Sequence, residues 1–196
     1  MSAIADPIAV ALLVADALDA LGLRYTVGGS LASSMSGEPR STLDVDMVVA
    51  ITEGDIGPIV AALGTEFYVS EDALRRAVRE RSTANLIHHR TSIKIDLFVM
   101  GATPLDENQL QRRRRVQVSS DPDRFLYMHP PEDILLQKIR WFRMGGETSD
   151  RQWRDILGIV KVQGDRLDLE YLQRNAPLIG GEDILQRALT ERDGRA

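Results

Sequence analysis

Two aspartates that stand two residues apart, Asp44 and Asp46, follow a Gly28-Gly29-Ser30 turn, and this arrangement constrains the chain more than any other feature. Side chains alternate along a strand, so in an extended segment both carboxylates point to the same face. Two carboxylates that converge repel each other unless a cation lies between them. Mg²⁺ is typically held by one or two carboxylates together with substrate phosphates and water. The pattern therefore predicts a site for a metal ion and a nucleotide.

A third acid, Asp96, lies in a second predicted strand over residues 92–100. Apolar residues occupy one face of this strand, and Asp96 shares the other face with Lys94 and Phe98. An aspartate among apolar neighbours is costly to bury unless it is paired or binds a metal. One such residue is usually a solvent-facing strand residue. Three of them behind a Gly-Gly-Ser turn favour a functional cluster of Asp44, Asp46 and Asp96.

The composition limits the class of protein. The chain has 196 residues, of which 43% are hydrophobic, as in an ordinary globular protein with a real core. No apolar stretch is long enough to span a membrane, and the N-terminus lacks the basic region of a signal peptide. The absence of cysteine excludes disulfides, cysteine-based zinc sites and thiol catalysis. We therefore expect a cytoplasmic protein that does not associate with membranes.

The charge of the chain is unevenly distributed. The formal net charge of −5 argues against binding of nucleic acid by the whole surface. Arg24 and Arg40 are the basic residues of an otherwise acidic segment 1–66, whereas basic side chains concentrate in residues 110–155, beginning with Arg112–Arg115. This arginine run can be a solvated surface or a binding site for RNA or nucleotide phosphates. The distribution favours RNA slightly as a substrate.

The order of predicted elements divides the chain near residue 129. Strands and helices alternate up to residue 128, with a short strand at residues 25–27 and Ser30 capping a helix over residues 31–36. After Pro130 and Pro131 the pattern is helical, with helices at about 131–144, 149–162, 168–176 and 181–192. We expect an α/β (α+β) core over residues 1–128 and a helical C-terminal subdomain over residues 129–196, packed as one compact unit.

Lys138 is the most informative residue of the helical part. It falls within the apolar arc that Ile134, Ile139 and Phe142 form on the predicted helix, and a lysine on the buried side of a helix needs a partner or a ligand. One interpretation directs Lys138 at a triphosphate or at the aspartates. The other is that its aliphatic stem is buried and its ammonium reaches solvent.

Asp155 lies in the following helix, outside its apolar face. It stands four residues after Arg151, so a surface ion pair within the helix is one interpretation.

The sequence resembles the nucleotidyltransferase superfamily of the DNA polymerase β type over roughly residues 20–100. That superfamily carries a Gly-Gly or Gly-Ser turn, a helix, an Asp-x-Asp pair and a later strand acid. The matching segments are Gly28-Gly29-Ser30, Asp44-Val45-Asp46 and Ile95-Asp96-Leu97.

This resemblance implies a polymerase-β-like nucleotidyltransferase core with a mixed sheet flanked by helices. It also implies that the three aspartates hold two Mg²⁺ ions, with Mn²⁺ as an alternative. Asp96 would be a metal ligand or a general base. Gly28, Gly29 and Ser30 would contact the triphosphate of an NTP, helped by the N-terminus of the following helix.

A second resemblance covers residues 129–192. The order Pro-Glu-Asp-Ile-Leu-Leu-x-Lys, then Ser-x-Arg-x-x-x-Asp-Ile, is similar to the AbiEii-type branch of minimal nucleotidyltransferases, which includes toxins of toxin–antitoxin pairs. In that branch a helix lysine and a later helix aspartate complete the active site. Lys138 and Asp155 match these positions, with Lys138 also predicted to bind nucleotide.

The predicted reaction is transfer of a nucleoside monophosphate from an NTP to an acceptor hydroxyl, with release of pyrophosphate. RNA, a tRNA end and a protein side chain are the predicted acceptors, and an antitoxin protein is the expected partner of a toxin. Two alternatives stay open. One is an antibiotic-type enzyme that modifies a small molecule. A cationic acceptor would suit such an enzyme here, because the N-terminal half of the chain is acidic. The other is a nucleotide-binding or partner-binding module without turnover.

Overall fold

The computed structural model describes residues 6–38 and 42–194, which contain nine α-helices and seven β-strands. The helices are Pro7–Ala20 (α1), Gly29–Ser36 (α2), Ile56–Leu63 (α3), Glu71–Glu80 (α4), Pro104–Gln111 (α5), Pro131–Met144 (α6), Asp150–Gln163 (α7), Leu169–Asn175 (α8) and Glu182–Asp193 (α9). The strands are Tyr25–Val27 (β1), Asp44–Val49 (β2), Phe67–Val69 (β3), Thr83–His88 (β4), Lys94–Val99 (β5), Arg114–Ser120 (β6) and Asp123–Met128 (β7). Among these described helices, none combines the length and the apolar character that crossing a bilayer requires.

The strands form one mixed sheet in the order β3-β4-β5-β2-β1-β7-β6. Strand β2 runs parallel to β5, and β1 runs parallel to β7, whereas the other neighbours are antiparallel. Helices α1, α3 and α4 pack against strands of this sheet. The predicted mixed sheet flanked by helices is confirmed.

Strands β2 and β5 form the centre of the core because apolar side chains alternate along both. Val45, Met47, Ile95 and Leu97 are fully buried on one face. Burial of such side chains contributes about 1.5–3 kcal/mol each. The same alternation places Asp44, Asp46, Lys94 and Asp96 on the opposite face. The packing that forms the core therefore also directs the acidic side chains away from it.

The chain divides into two compact units. The first comprises residues 6–31 and 42–128 and contains the whole sheet. The second comprises residues 32–38 and 129–194 and contains the C-terminal part of α2 together with α6 to α9. Each unit is therefore assembled from two separate segments of the chain.

In the helical unit, the segment that follows α2 lies against α7 through two glycines. A Cβ atom on Gly37 would stand 2.9 Å from the backbone nitrogen of Ile159, and one on Gly158 would stand 3.3 Å from that of Glu38. The Lys161 ammonium also lies 3.2 Å from the Glu38 carboxylate. A larger residue at position 37 would push the two backbones apart, so this contact depends on glycine.

Two acids at the start of α6 are buried in the helical unit and satisfied by hydrogen bonds. The Tyr171 hydroxyl donates to Asp133 Oδ1 over 2.6 Å, and the Asp168 backbone N–H donates to Glu132 Oε1 over 3.1 Å. Acidic side chains in a first turn also interact favourably with the helix dipole. These groups therefore connect α6 to α8 and its N-cap.

Candidate active site

The three predicted carboxylates lie on two neighbouring parallel strands. In the register of β2 and β5, Asp46 stands opposite Asp96, and Asp44 stands opposite Lys94. All four side chains share one face, because paired residues point to the same side of a sheet. The fold therefore brings Asp44, Asp46 and Asp96 together in the N-terminal halves of β2 and β5. Asp44 and Asp46 are close in sequence, and Asp46 and Asp96 are paired across the two strands.

The Gly28-Gly29-Ser30 turn is held directly against Asp46. The Gly28 N–H donates to the backbone oxygen of Asp46 over 2.9 Å, which extends the pairing of β1 with β2. The Ser30 N–H faces Asp46 Oδ2 at 3.4 Å. All three residues of the predicted turn thus stand beside one of the predicted metal ligands.

Helix α2 begins at Gly29, so the prediction that Ser30 is an N-cap is wrong. Gly29 has a φ of +57°, which glycine adopts without steric cost. Ser30 lies in the first turn, where its N–H has no partner within the helix. The carboxylate of Asp46, sixteen residues away in sequence, faces that N–H in place of a local cap.

The Asp46 side chain leaves no room for a side chain at position 29. A Cβ atom added there would lie 1.7 Å from Asp46 Oδ2 and 2.7 Å from the Asp46 Cβ. No side chain fits in this position unless that of Asp46 moves away. Glycine at position 29 is therefore required both by its φ and by the carboxylate that covers it.

Lys94 also belongs to the charged cluster. The sequence predicted that it shares a strand face with Asp96 but indicated no role for it. Its ammonium lies 2.8 Å from Asp96 Oδ2. This hydrogen bond raises the pKa of Lys94 above its usual value, and the negative charges of Asp96, Asp44 and Asp46 act in the same direction. The alternation of β5 indicated that Lys94 and Asp96 share a face. Its position opposite Asp44 depends on the pairing of β2 with β5.

The other carboxylate oxygen of Asp96 is available to bind a ligand. Asp96 Oδ1 is buried and has no hydrogen-bond partner in residues 6–38 and 42–194, and the side chain as a whole is 15% exposed. A buried carboxylate oxygen without a partner is energetically unfavourable unless a cation or water binds it. This oxygen is therefore a suitable ligand for a metal ion.

Carboxylate oxygens on adjacent strands are the donor type that Mg²⁺ prefers, so the residues fit that ion. In the described ranges, however, no three His, Asp or Glu side chains have already converged into a metal site. Asp96 Oδ2 is bonded to Lys94 and Asp46 Oδ2 is directed towards the start of α2. The donors are thus present on one face, and an ion shared with Asp96 Oδ1 requires the Asp46 carboxylate to turn away from α2.

Lys138 and Asp155 meet in the helical unit. Lys138 Nζ lies 2.8 Å from Asp155 Oδ2, and both side chains are 9% exposed. The apolar surroundings of Lys138 on α6 were predicted correctly, since Ile134, Ile139 and Phe142 are all buried. Its observed partner is the aspartate of α7, which makes this a buried ion pair between two helices.

The arginine run occupies the edge of the sheet. Arg113 lies over the ring of Tyr127 at 4.4 Å, and Arg115 lies over the ring of Phe125 at 3.8 Å. Cations over aromatic faces gain about 0.5–1 kcal/mol at exposed sites. Arg115 of β6 and Arg113, which precedes this strand, thus stack on aromatic rings of β7.

No protein-family model matches the sequence, and no curated protein matches it significantly. Solved structures do resemble it. An antigenic nucleotidyltransferase-like protein from Paracoccidioides brasiliensis matches with a TM-score of 0.55 and 20% identity, over 94% of this chain and 93% of its own. ANT(2")-Ia in complex with adenylyl-2"-tobramycin matches with a TM-score of 0.56 and 11% identity, over 85% of this chain and 94% of its own. JHP933 from Helicobacter pylori matches with a TM-score of 0.50 and 10% identity, over 96% and 93%.

These likenesses extend over most of both chains in each comparison. They coincide with a mixed sheet in which a glycine-rich turn and strand carboxylates lie side by side. The chain therefore has the polymerase-β-like nucleotidyltransferase fold.

Proposed function

We propose that the protein is a Mg²⁺-dependent nucleotidyltransferase, with Mn²⁺ as an alternative ion, that moves a nucleoside monophosphate from an NTP to an acceptor hydroxyl. The observation that carries this proposal is the pairing of Asp46 with Asp96 on one face of the sheet, directly beside the Gly28–Ser30 turn. This arrangement places groups suited to metal ions next to groups suited to phosphate. Both are needed to transfer a nucleotide.

Asp44, Asp46 and Asp96 are the residues that would hold the metal ions, and Asp96 offers its open Oδ1. Bound divalent ions would neutralise the charge at the reacting phosphate and make the acceptor hydroxyl easier to deprotonate. In the balanced reaction, the acceptor oxygen forms a bond to the α-phosphorus and the bond to the pyrophosphate oxygen breaks. The acceptor proton is released, and pyrophosphate leaves.

The turn would bind the triphosphate of the NTP. Gly29 and Ser30 open α2, and backbone N–H groups at a helix N-terminus attract anions. The N–H of Gly28 already donates to Asp46, so Gly28 would act by holding the turn in place. This division of roles refines the expectation that all three residues contact phosphate.

For Lys138 and Asp155, participation in transfer is supported by the resemblance to the AbiEii-type branch. Their buried ion pair independently gives them a structural role in the helical unit. The same resemblance supports the more specific proposal that the protein is a toxin with an antitoxin partner. The proposal of nucleotide transfer does not depend on either assignment.

RNA, including a tRNA end, and a protein side chain are the acceptors that we propose first. A cationic small molecule is the second candidate, because residues 1–66 are acidic and because ANT(2")-Ia, a structural neighbour, is seen with an adenylylated tobramycin. A nucleotide-binding module without turnover is the third candidate. The presence of all three carboxylates on one face argues against it.

The decisive experiment is incubation of the purified protein with Mg²⁺, each NTP labelled at the α-phosphate, and one acceptor pool at a time. The pools are total RNA, lysate proteins and an aminoglycoside. We compare Asp44→Ala/Asp46→Ala with Asp165→Ala/Glu170→Ala, which removes the same charge from side chains that are 105% and 87% exposed.

Label that enters one pool, persists in the surface control and disappears in the strand variant supports the proposal and identifies the acceptor. Labelling that survives in Asp44→Ala/Asp46→Ala would exclude these carboxylates as the active site. NTP binding without transfer to any pool would favour the binding module.

A further inference from the structure

The Lys94 ammonium is a cation of the protein that already lies within the carboxylate cluster. It lies 2.8 Å from Asp96 Oδ2, and its strand position is opposite Asp44. Its side chain is 40% exposed, compared with 15% for that of Asp96, so the contact is made at the solvent edge of the site. The cluster is therefore partly neutralised without a metal ion.

Three acids that share one face would repel one another if nothing compensated their charge. Lys94 supplies that compensation, and its hydrogen bond fixes one oxygen of Asp96 while the other stays open. An ion bound at Oδ1 would lie about 5 Å from the ammonium, given metal–oxygen distances near 2 Å. At that separation the two cations repel each other measurably even in a water-like dielectric.

We propose that Lys94 is a resident counter-ion that stabilises the metal-free carboxylate cluster and competes electrostatically with the divalent ion for it. The proposal rests on the metal site of the proposed function and adds a residue that regulates its occupancy. Lys94 thereby weakens metal binding and reduces the change in stability that metal binding brings. Such a residue favours loading of the ion together with the anionic triphosphate, because the triphosphate restores the balance of charge.

The experiment measures Mn²⁺ binding to the full chain without nucleotide, by isothermal titration calorimetry or by the electron paramagnetic resonance signal of free Mn²⁺. The variants are Lys94→Met, which removes the charge, and Lys94→Arg, which keeps it. Lys161→Met is the matched control, since it removes the same charge from a side chain that is 74% exposed. Thermal unfolding in EDTA and in Mn²⁺ is recorded for each protein.

We expect Lys94→Met to bind Mn²⁺ roughly fivefold to tenfold more tightly than Lys161→Met, from the repulsion of a divalent ion and an ammonium at about 5 Å with salt screening. Lys94→Arg should stay within about twofold of the unmodified protein, since the charge is kept. In EDTA, Lys94→Met should unfold at a lower temperature than Lys161→Met. In Mn²⁺, its unfolding temperature should rise by more.

Unchanged Mn²⁺ affinity in Lys94→Met would show that the lysine is a bystander and would overturn the inference. Weaker binding would also overturn it, because Lys94 would then assist the metal by holding Asp96. If the unmodified protein and Asp44→Ala/Asp46→Ala bind Mn²⁺ equally, the metal site itself is refuted. Failure of the proposed function is thus distinguished from failure of the Lys94 inference.

Discussion

Substitution of Gly29 by alanine should damage the protein more than a positive φ alone explains. A non-glycine residue in the left-handed region costs about 1–2 kcal/mol. Gly22 provides the control, because its φ is +69° and an added Cβ there meets nothing within 4 Å. Gly22→Ala should therefore lower the free energy of unfolding by about 1–2 kcal/mol, the cost of the backbone conformation.

Gly29→Ala adds a steric cost to the conformational one. Its Cβ would overlap Asp46 Oδ2 at 1.7 Å, Cγ at 2.3 Å and Cβ at 2.7 Å, so the whole Asp46 side chain must leave its place. Overpacking of this kind typically costs about 1–3 kcal/mol. We therefore expect a total loss of about 2–5 kcal/mol, together with displacement of a proposed metal ligand.

Urea denaturation of Gly22→Ala, Gly29→Ala, Asp46→Ala and Gly29→Ala/Asp46→Ala measures these costs. Asp46→Ala removes the two closest atoms, so Gly29→Ala should cost less in that background than in the unmodified protein. Equal losses for Gly22→Ala and Gly29→Ala would refute the close approach of Asp46 to Gly29. Equal costs of Gly29→Ala with and without Asp46 would refute the assignment of the extra cost to that side chain.

Two further predictions concern ionisable groups inside the fold. Lys138→Met should lower the free energy of unfolding by roughly 3–5 kcal/mol in urea denaturation, because it removes the ammonium that lies 2.8 Å from the buried Asp155 carboxylate. Lys138→Met/Asp155→Leu should recover much of that loss, and a double variant no more stable than the single would contradict this. Burial, with a smaller contribution from Asp19, raises the pKa of Tyr25 to about 12, so the folded state keeps this proton when the unfolded chain loses it near pH 10. The resulting stability is complete below pH 10 and is lost as the pH rises towards 12. The unfolding temperature of Tyr25→Phe should therefore decline less steeply across this range than that of the unmodified protein. Parallel curves would exclude Tyr25 as the cause.

Local patterns predicted the elements whose ends carry strong signals. The strand at residues 25–27 and the helix at residues 131–144 have the predicted bounds. The helix begins at Pro131, which suits the first helical position because its missing N–H needs no partner there. Spacing along β2 and β5 also placed Asp44, Asp46 and Asp96 on the faces opposite the apolar side chains of their strands.

Local sequence patterns could not predict which distant segments pair with each other. The register that sets Asp46 against Asp96 is a tertiary property, because β3 and β4 lie between β2 and β5 in the chain. The start of α2 was misplaced for the same reason. Ser30 was expected to cap the helix, but it lies in the first turn, and a carboxylate from another strand faces its N–H. The partner of Lys138 likewise comes from a separate helix, so its burial was predictable and its ion pair was not.

The close approach of Gly37 to α7 has a consequence for how the chain can be divided. Residues 32–38 are synthesised about a hundred residues before α7, and their contact is of high sequence separation, which slows folding. During synthesis this segment must wait for α7 to emerge before it acquires its partner. A fragment cut at residue 128 would carry the segment without α7, and one beginning at residue 129 would leave the surface of α7 beside Gly158 uncovered. Neither compact unit can therefore be produced intact by a single cut in the chain.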